Sequence, residues 1–228
     1  MDNVKVSLDQ MENWEKPQGK EIARIHNRLG SSIKELRSPA DIRNFTFAVG
    51  RDGHTFCPAT FTNGKRSKDH FEQQQMFALD FDNKAQDRRV SFEEVRARAK
   101  KYDLPILFAY DTFSSTGHNK FRVVFLNDVS IPHRELAEAM QLGTIFPEAD
   151  PSCYRDASKM YFGGKERLYY NDTIPTINME SIFRGLTYYL KDTTGNHYKE
   201  KLSKFSRETG IALNRNGLLD VTMTDNPT

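Results

Sequence analysis

The feature that most constrains this chain is the run Met76-Phe77-Ala78-Leu79-Asp80-Phe81-Asp82. Unbroken apolar residues lead there into two aspartates separated by one phenylalanine. A short continuous apolar run of this kind reads as a buried strand, here over Gln74–Asp82. Side chains at i and i+2 of a strand share a face, so Asp80 and Asp82 stand side by side at the strand end. Two carboxylates that close repel unless positive charge joins them. A hard divalent cation is the natural solution, because Mg²⁺ takes oxygen ligands and is usually held by one or two carboxylates plus substrate phosphates. The plainer alternative is a pair of solvated aspartates at the mouth of a turn. A two-metal site would need a third acid. Asp150, just before Pro151, is the best candidate, with Asp156 and Asp111 as rivals.

Around that run, strand-like and helix-like segments alternate, which predicts an α/β (α+β) fold. Residues 1–40 read as mostly helical and polar, with Ile22, Ile25 and Leu29 at helical spacing, Gly30 as a stop and Pro39 as a breaker. Phe45–Val49 and His54–Phe61 read as strands joined through the turn Arg51-Asp52-Gly53. Ser91 and Glu94 form a capping box before a helix whose face carries Val95, Ala99 and Tyr102. Leu104–Tyr110 and Phe121–Leu126 are buried-type strands. Pro132 suits the start of a helix carrying Leu136 and Met140 and ending near Gly143. Met160–Phe162 and Leu168–Tyr170 read as short strands, and residues 179–190 as a helix. A last helix carries Tyr198, Leu202 and Phe205 and stops at Gly210. The expected organisation is one domain over 1–190 and a helical extension or linker over 191–228, frayed after Thr222.

A composition of 37% hydrophobic and 28% charged residues argues against disorder over the whole length. The net charge of +2 excludes a polycationic coat, though not a local basic cleft. Cys57 and Cys153 cannot build a disulfide scaffold. No signal-like start and no apolar run of membrane-spanning length is evident, so the expectation is a cytoplasmic protein with no membrane partner.

A second chemical signal is the segment Thr112-Phe113-Ser114-Ser115-Thr116-Gly117-His118-Asn119-Lys120-Phe121-Arg122, which joins two strands. Hydroxyls and N–H groups around a glycine can cradle phosphate oxygens. Lys120 and Arg122, two apart on a strand, would share a face and add a point charge and a bidentate fork. An ordinary polar turn with exposed cations is the alternative. The basic residues Arg88, Arg89, Arg96, Arg98, Lys100 and Lys101 are mixed with acids and read as a solvated helix face.

Taken in order, these segments resemble the archaeo-eukaryotic primase superfamily, in its primase–polymerase branch of phages, plasmids and other mobile elements. That family carries a hydrophobic-Asp-hydrophobic-Asp strand, then a Ser-x-His motif, then a third acid. Asp80-Phe81-Asp82 fits the first and Asp150 looks like the third. The middle motif departs, with Thr116-Gly117-His118 the nearest match, followed by the family-like Lys120-Phe121-Arg122-Val123-Val124-Phe125. The resemblance spans roughly residues 45–170. It implies a catalytic core with an RNA-recognition-motif-like mixed sheet flanked by helices, beside an N-terminal α/β module. It implies template-directed nucleotidyl transfer with Mg²⁺ or Mn²⁺ held by Asp80, Asp82 and Asp150. It further implies that His118, with Ser115 or Thr116, binds the incoming triphosphate, and that Lys120, Arg122 and the Ser158-Lys159 pair complete that site. Single-stranded DNA, nucleoside triphosphates and a replicative helicase are the implied partners.

Two other classes fit parts of the pattern. A metal-dependent phosphohydrolase of haloacid-dehalogenase type also starts from Asp-x-Asp, but Lys84 stands where that type has Thr or Val. A non-catalytic single-strand binder would use Phe121 and Phe125 as stacking platforms.

Overall fold

The computed structural model describes residues 3–84, 89–133, 142–214 and 219–220. The chain is a mixed α/β protein in which every pair of named strands is antiparallel. A small sheet has the order β2-β1-β3, with β1 Val4–Leu8, β2 Ile33–Leu36 and β3 Phe56–Cys57. The main sheet has the order β4-β5-β7-β6-β8, with β4 Ala59–Phe61, β5 Phe71–Phe81, β6 Phe108–Thr112, β7 Phe121–Ile131 and β8 Gly164–Tyr170. Two short strands, β9 Ala212–Leu213 and β10 Leu219–Asp220, pair near the end of the chain.

The expected mixed sheet is therefore corrected to an antiparallel one. The reason lies in the strand order. Helix α3 (Phe92–Lys101) carries the chain from β5 to β6, which run in the same direction. The returning hairpin strand β7 inserts between them, so β5 and β6 never pair directly: this is a split βαβ unit.

The N-terminal third departs most from expectation. Val4–Leu8 and Ile33–Leu36 are strands inside a region read as helical, where helix is confined to Lys20–Ser31 (α1) and the start of a second helix at Pro39. Gly30 does not stop α1. A Cβ on it would lie 2.2 Å from the Gly64 carbonyl oxygen, so the residue serves a close approach between α1 and the 62–64 turn. Phe45–Val49, read as a strand, belongs to helix α2 (Pro39–Gly50). Pro39 begins that helix rather than breaking one. Ser38 caps it by accepting the Asp41 N–H, and proline fits the first turn. Ile42, Phe45, Thr46 and Val49 then fall at helical spacing and are buried.

Each face of the main sheet is covered. On one face, Phe45 of α2 meets Phe108 edge-on at 5.9 Å and Phe56 at 5.4 Å. On the other, Phe92 of α3 meets Phe121 at 5.9 Å, and Phe146 meets Phe125 at 5.9 Å. The Ser91–Glu94 capping box forms as expected. Helix α4 (Met179–Thr194) runs across the 190/191 position at which a boundary was expected, and α5 (Tyr198–Thr209) follows. Leu202 and Ile211 are buried in the same cluster as the sheet residues. Gly210 ends α5 in the left-handed conformation. The helix expected around Leu136 and Met140, Arg88 of the basic run, and the end after Thr222 lie outside the described residues. No helix among the described residues is long and apolar enough to cross a membrane.

Candidate active site

The site is built on one row of the main sheet. Asp80 on β5 pairs with Arg122 on β7, which pairs with Tyr110 on β6, which pairs with Arg167 on β8. Directly opposed residues point to one face, so these four side chains share the face that α2 covers. Arg122 Nη2 donates to Asp80 Oδ2 at 3.1 Å, and Nη1 donates to the Phe162 carbonyl oxygen. The guanidinium lies 5.8 Å from the ring centres of both Tyr110 and Tyr161. The pair is well enclosed, with side chains 11% exposed for Arg122 and 16% for Asp80.

Asp150 reaches the same strand end because β5 has an unfinished edge. Strand β4 covers only the Phe71–Gln74 part of β5. Further along, the outer backbone groups of β5 need other partners. The Asp80 N–H points to Cys153 Sγ at 3.3 Å, the Asp80 carbonyl accepts the Asp150 N–H at 2.8 Å, and the Ala78 carbonyl accepts the Tyr161 hydroxyl at 2.8 Å. The Asp150–Tyr154 turn thus stitches itself to the acidic strand end across about seventy residues of sequence. Asp150 Oδ1 caps that turn, accepting the Ser152 N–H at 2.9 Å and the Ser152 hydroxyl at 2.8 Å. Its Oδ2 takes Lys159 Nζ at 3.2 Å.

Each of the three carboxylates faces a protein cation. Asp82, just past β5 and 37% exposed, holds Lys120 Nζ at 3.2 Å on one oxygen and Lys84 Nζ on the other. Burial pushes the Asp82 carboxyl up, but the hydrogen bonds from Lys84 and Lys120 outweigh it and hold the group below the usual range. Burial likewise opposes Asp150, which Ser152 and Lys159 still hold low. The Lys84 ammonium is held above its ordinary value, first by its hydrogen bond and charge attraction to Asp82, then also by the charges of Asp80 and Asp150. One exposed, flexible ammonium therefore sits in the field of all three carboxylates.

A polar pocket of about 70 Å³ opens here, lined by Asp80, Asp82, Arg122, Thr112, Ser114 and Lys16, with Phe113, Phe162 and Gly163. It has room for an ion or a phosphate group. Gly163 is needed at its wall. A Cβ there would lie 2.3 Å from the Gly53 carbonyl carbon. Lys16 and Thr112 were not among the expected site residues. Lys16 carries no sequence signal, since it comes from a loop of the N-terminal module. Thr112 and Ser114 lay inside the hydroxyl-rich segment, but their shared direction is set by the hairpin.

The Ser115–His118 end of that segment turns the other way. Asp111 is in register with Phe121 and Glu166, one residue off the Asp80 row and so on the opposite face. The Ser115 hydroxyl donates to Asp111 Oδ1 at 2.9 Å and accepts the Lys120 N–H at 3.2 Å. His118, in the left-handed region at φ 58°, places Nδ1 2.5 Å from Asp111 Oδ2. That hydrogen bond and the Asp111 charge raise the His118 imidazole above its ordinary value. The Thr116 N–H is taken by Asn119. Ser115, Thr116 and His118 thus tie the hairpin together instead of lining the pocket. Ser158 binds back to Asp156 through both its N–H and its hydroxyl.

Two donor sets suit a cation. Among the described residues, the group of three ligand atoms gathered within 4.8 Å of one another is Asp111, His118 and Glu166, and this group could hold a metal ion. In the structure it is closed by the His118–Asp111 hydrogen bond. Asp80, Asp82 and Asp150 are not so tightly gathered, but they offer hard oxygen donors, and the Lys84 ammonium pairs with Asp82 among them. Phe121 and Phe125, weighed as stacking platforms, are 0% exposed and belong to the core. No protein-family model, curated protein or solved structure matches this chain.

Proposed function

We propose that the chain is a primase–polymerase catalytic module that transfers nucleotides to a growing strand on a single-stranded DNA template. The observation that carries this reading is the cation-seeking strand end. Asp80 at the end of β5 and Asp82 just past it are joined by the Asp150 turn, whose N–H binds the Asp80 carbonyl, and Lys84 pairs with Asp82 beside them. Antiparallel β5, β7 and β6 with α3 behind them also suit the core implied by the resemblance.

Asp80, Asp82 and Asp150 would hold Mg²⁺ or Mn²⁺. When bound, the divalent ions supply activation of the 3′-hydroxyl and charge stabilisation of the departing pyrophosphate. Arg122 does not reach out to solvent, as a triphosphate ligand would. It positions Asp80 from behind, between Tyr110 and Tyr161. Lys16 and the hydroxyls of Thr112 and Ser114 line the pocket and would bind phosphate oxygens there, while Lys120 pairs with Asp82 at its edge. Lys159 orients Asp150 and is screened by Ser152 and Tyr161.

The test is incorporation of a labelled nucleotide on a single-stranded template, with and without primer, in Mg²⁺ and in Mn²⁺. Template-dependent extension that Asp82→Ala abolishes is the expected result. Full incorporation by Asp82→Ala, or label released without a template, refutes the reading.

A further inference from the structure

We infer that the groove between α2 and edge strand β8 binds a single strand of nucleic acid. This groove is far larger than the carboxylate pocket, about 770 Å³, and is lined by Arg43, Arg167, Tyr169, Tyr170 and the exposed Asp172 among others. Three guanidiniums gather beside it on one ring. Arg167 lies 3.7 Å from the centre of Phe47, Arg51 4.9 Å and Arg43 5.9 Å. Arg167 also lies 4.9 Å from the Tyr170 ring, and Arg96 covers Tyr169 at 4.7 Å.

The cluster carries fewer anions than cations, with Asp52 and Asp172 beside three guanidiniums. Arg51 pairs with Asp52, but among the described residues neither Arg43 nor Arg167 has an ion pair. Arg167 is held by Thr46 Oγ1 at 2.8 Å. Burial, and then the charges of Arg43 and Arg51, push the Arg167 guanidinium below its ordinary value against the pull of Tyr170. Like charges in excess over their carboxylates are stabilised by an external polyanion.

The chemistry selects which polyanion. Half-buried aromatic rings and guanidinium planes together stack bases and neutralise phosphates. A duplex hides its base faces from such a surface, whereas a single strand offers them. The groove is also in line with the acidic strand end. Arg167 stands in the same cross-strand row as Asp80, three strands away. At about 4.8 Å per strand this is about 14 Å across the sheet. That this strand is the template rests on the nucleotidyl-transfer reading; that a strand binds here does not.

The experiment is fluorescence anisotropy of labelled oligo(dT) and oligo(U) with the full chain, without metal or nucleotide, over a range of salt. Arg43→Glu changes an exposed residue with no ion pair among the described residues, so folding is preserved. Arg167→Gln tests the stacked guanidinium, and Lys199→Glu on α5 is the charge-matched control. Arg43→Glu is expected to weaken binding about tenfold or more, and to lower the slope of log affinity against log salt by about 0.7 for each phosphate no longer neutralised. The control should bind as the wild type does, and a duplex should compete poorly. The inference is overturned if neither probe binds, if Arg43→Glu and Arg167→Gln both match the control, or if a duplex competes equally. Loss of incorporation in Asp82→Ala with oligonucleotide binding intact separates this site from the catalytic one.

Discussion

Replacing Arg122 by methionine should expose how the acidic strand end is held. Arg122 and Asp80 form a nearly enclosed pair, with side chains 11% and 16% exposed. Removing one partner of a buried pair leaves an uncompensated charge and typically costs about 3–5 kcal/mol. Methionine keeps an aliphatic stem of similar length but lacks the guanidinium that faces Tyr110 and Tyr161, so the loss is chiefly electrostatic. The Phe162 carbonyl also loses its donor, which adds about 1 kcal/mol. Asp80→Asn in the Arg122→Met background should recover a large part of the loss, because it removes the stranded charge. Urea unfolding of wild type, both single variants and the double variant measures the coupling directly. If Asp80 binds a divalent ion, Mn²⁺ should stabilise Arg122→Met, by about 2.7 kcal/mol at one hundred times the dissociation constant. An Arg122→Met protein within about 1 kcal/mol of wild type would refute the argument. So would a double variant no more stable than Arg122→Met.

Three further outcomes follow from the same geometry. Asp82→Ala should leave the unfolding midpoint nearly unchanged, since Asp82 is 37% exposed, its partner Lys84 is exposed and Lys120 half-buried, and solvent-facing pairs contribute about 1 kcal/mol or less; a collapse of the fold would assign Asp82 a structural role. The imidazole of His118, raised by Asp111, should titrate above 6.5 by NMR and return toward 6.5 in Asp111→Asn. Its stabilising effect is complete below that ordinary value and is lost as the pH rises through the raised one; an unperturbed titration would remove the pair. Gly163→Ala should destabilise the fold and close the pocket wall, because the new methyl group meets the Gly53 backbone at 2.3 Å; a wild-type melting temperature would contradict that packing.

The parts of this protein legible in its sequence are those governed by nearest neighbours along the chain. The alternation that places Asp80 and Asp82 at a strand end, the Ser91–Glu94 cap, and the glycine after α5 each depend on residues within one turn or one pleat. The same local logic misled where two readings competed. Phe45–Val49 has strand-like composition, but Ser38, Pro39 and Asp41 start a helix ahead of it, and the core contact of Phe45 with Phe108 rewards that choice. Tertiary structure alone decided what the site contains. The open edge of β5 draws Asp150 onto Asp80, the cross-strand register turns Arg122 inward to Asp80, and the one-residue offset of Asp111 sends His118 to the opposite face. Register and edge pairing are set by which distant segments bury each other's backbone groups, and a period-two pattern is the same for either face until that packing is known.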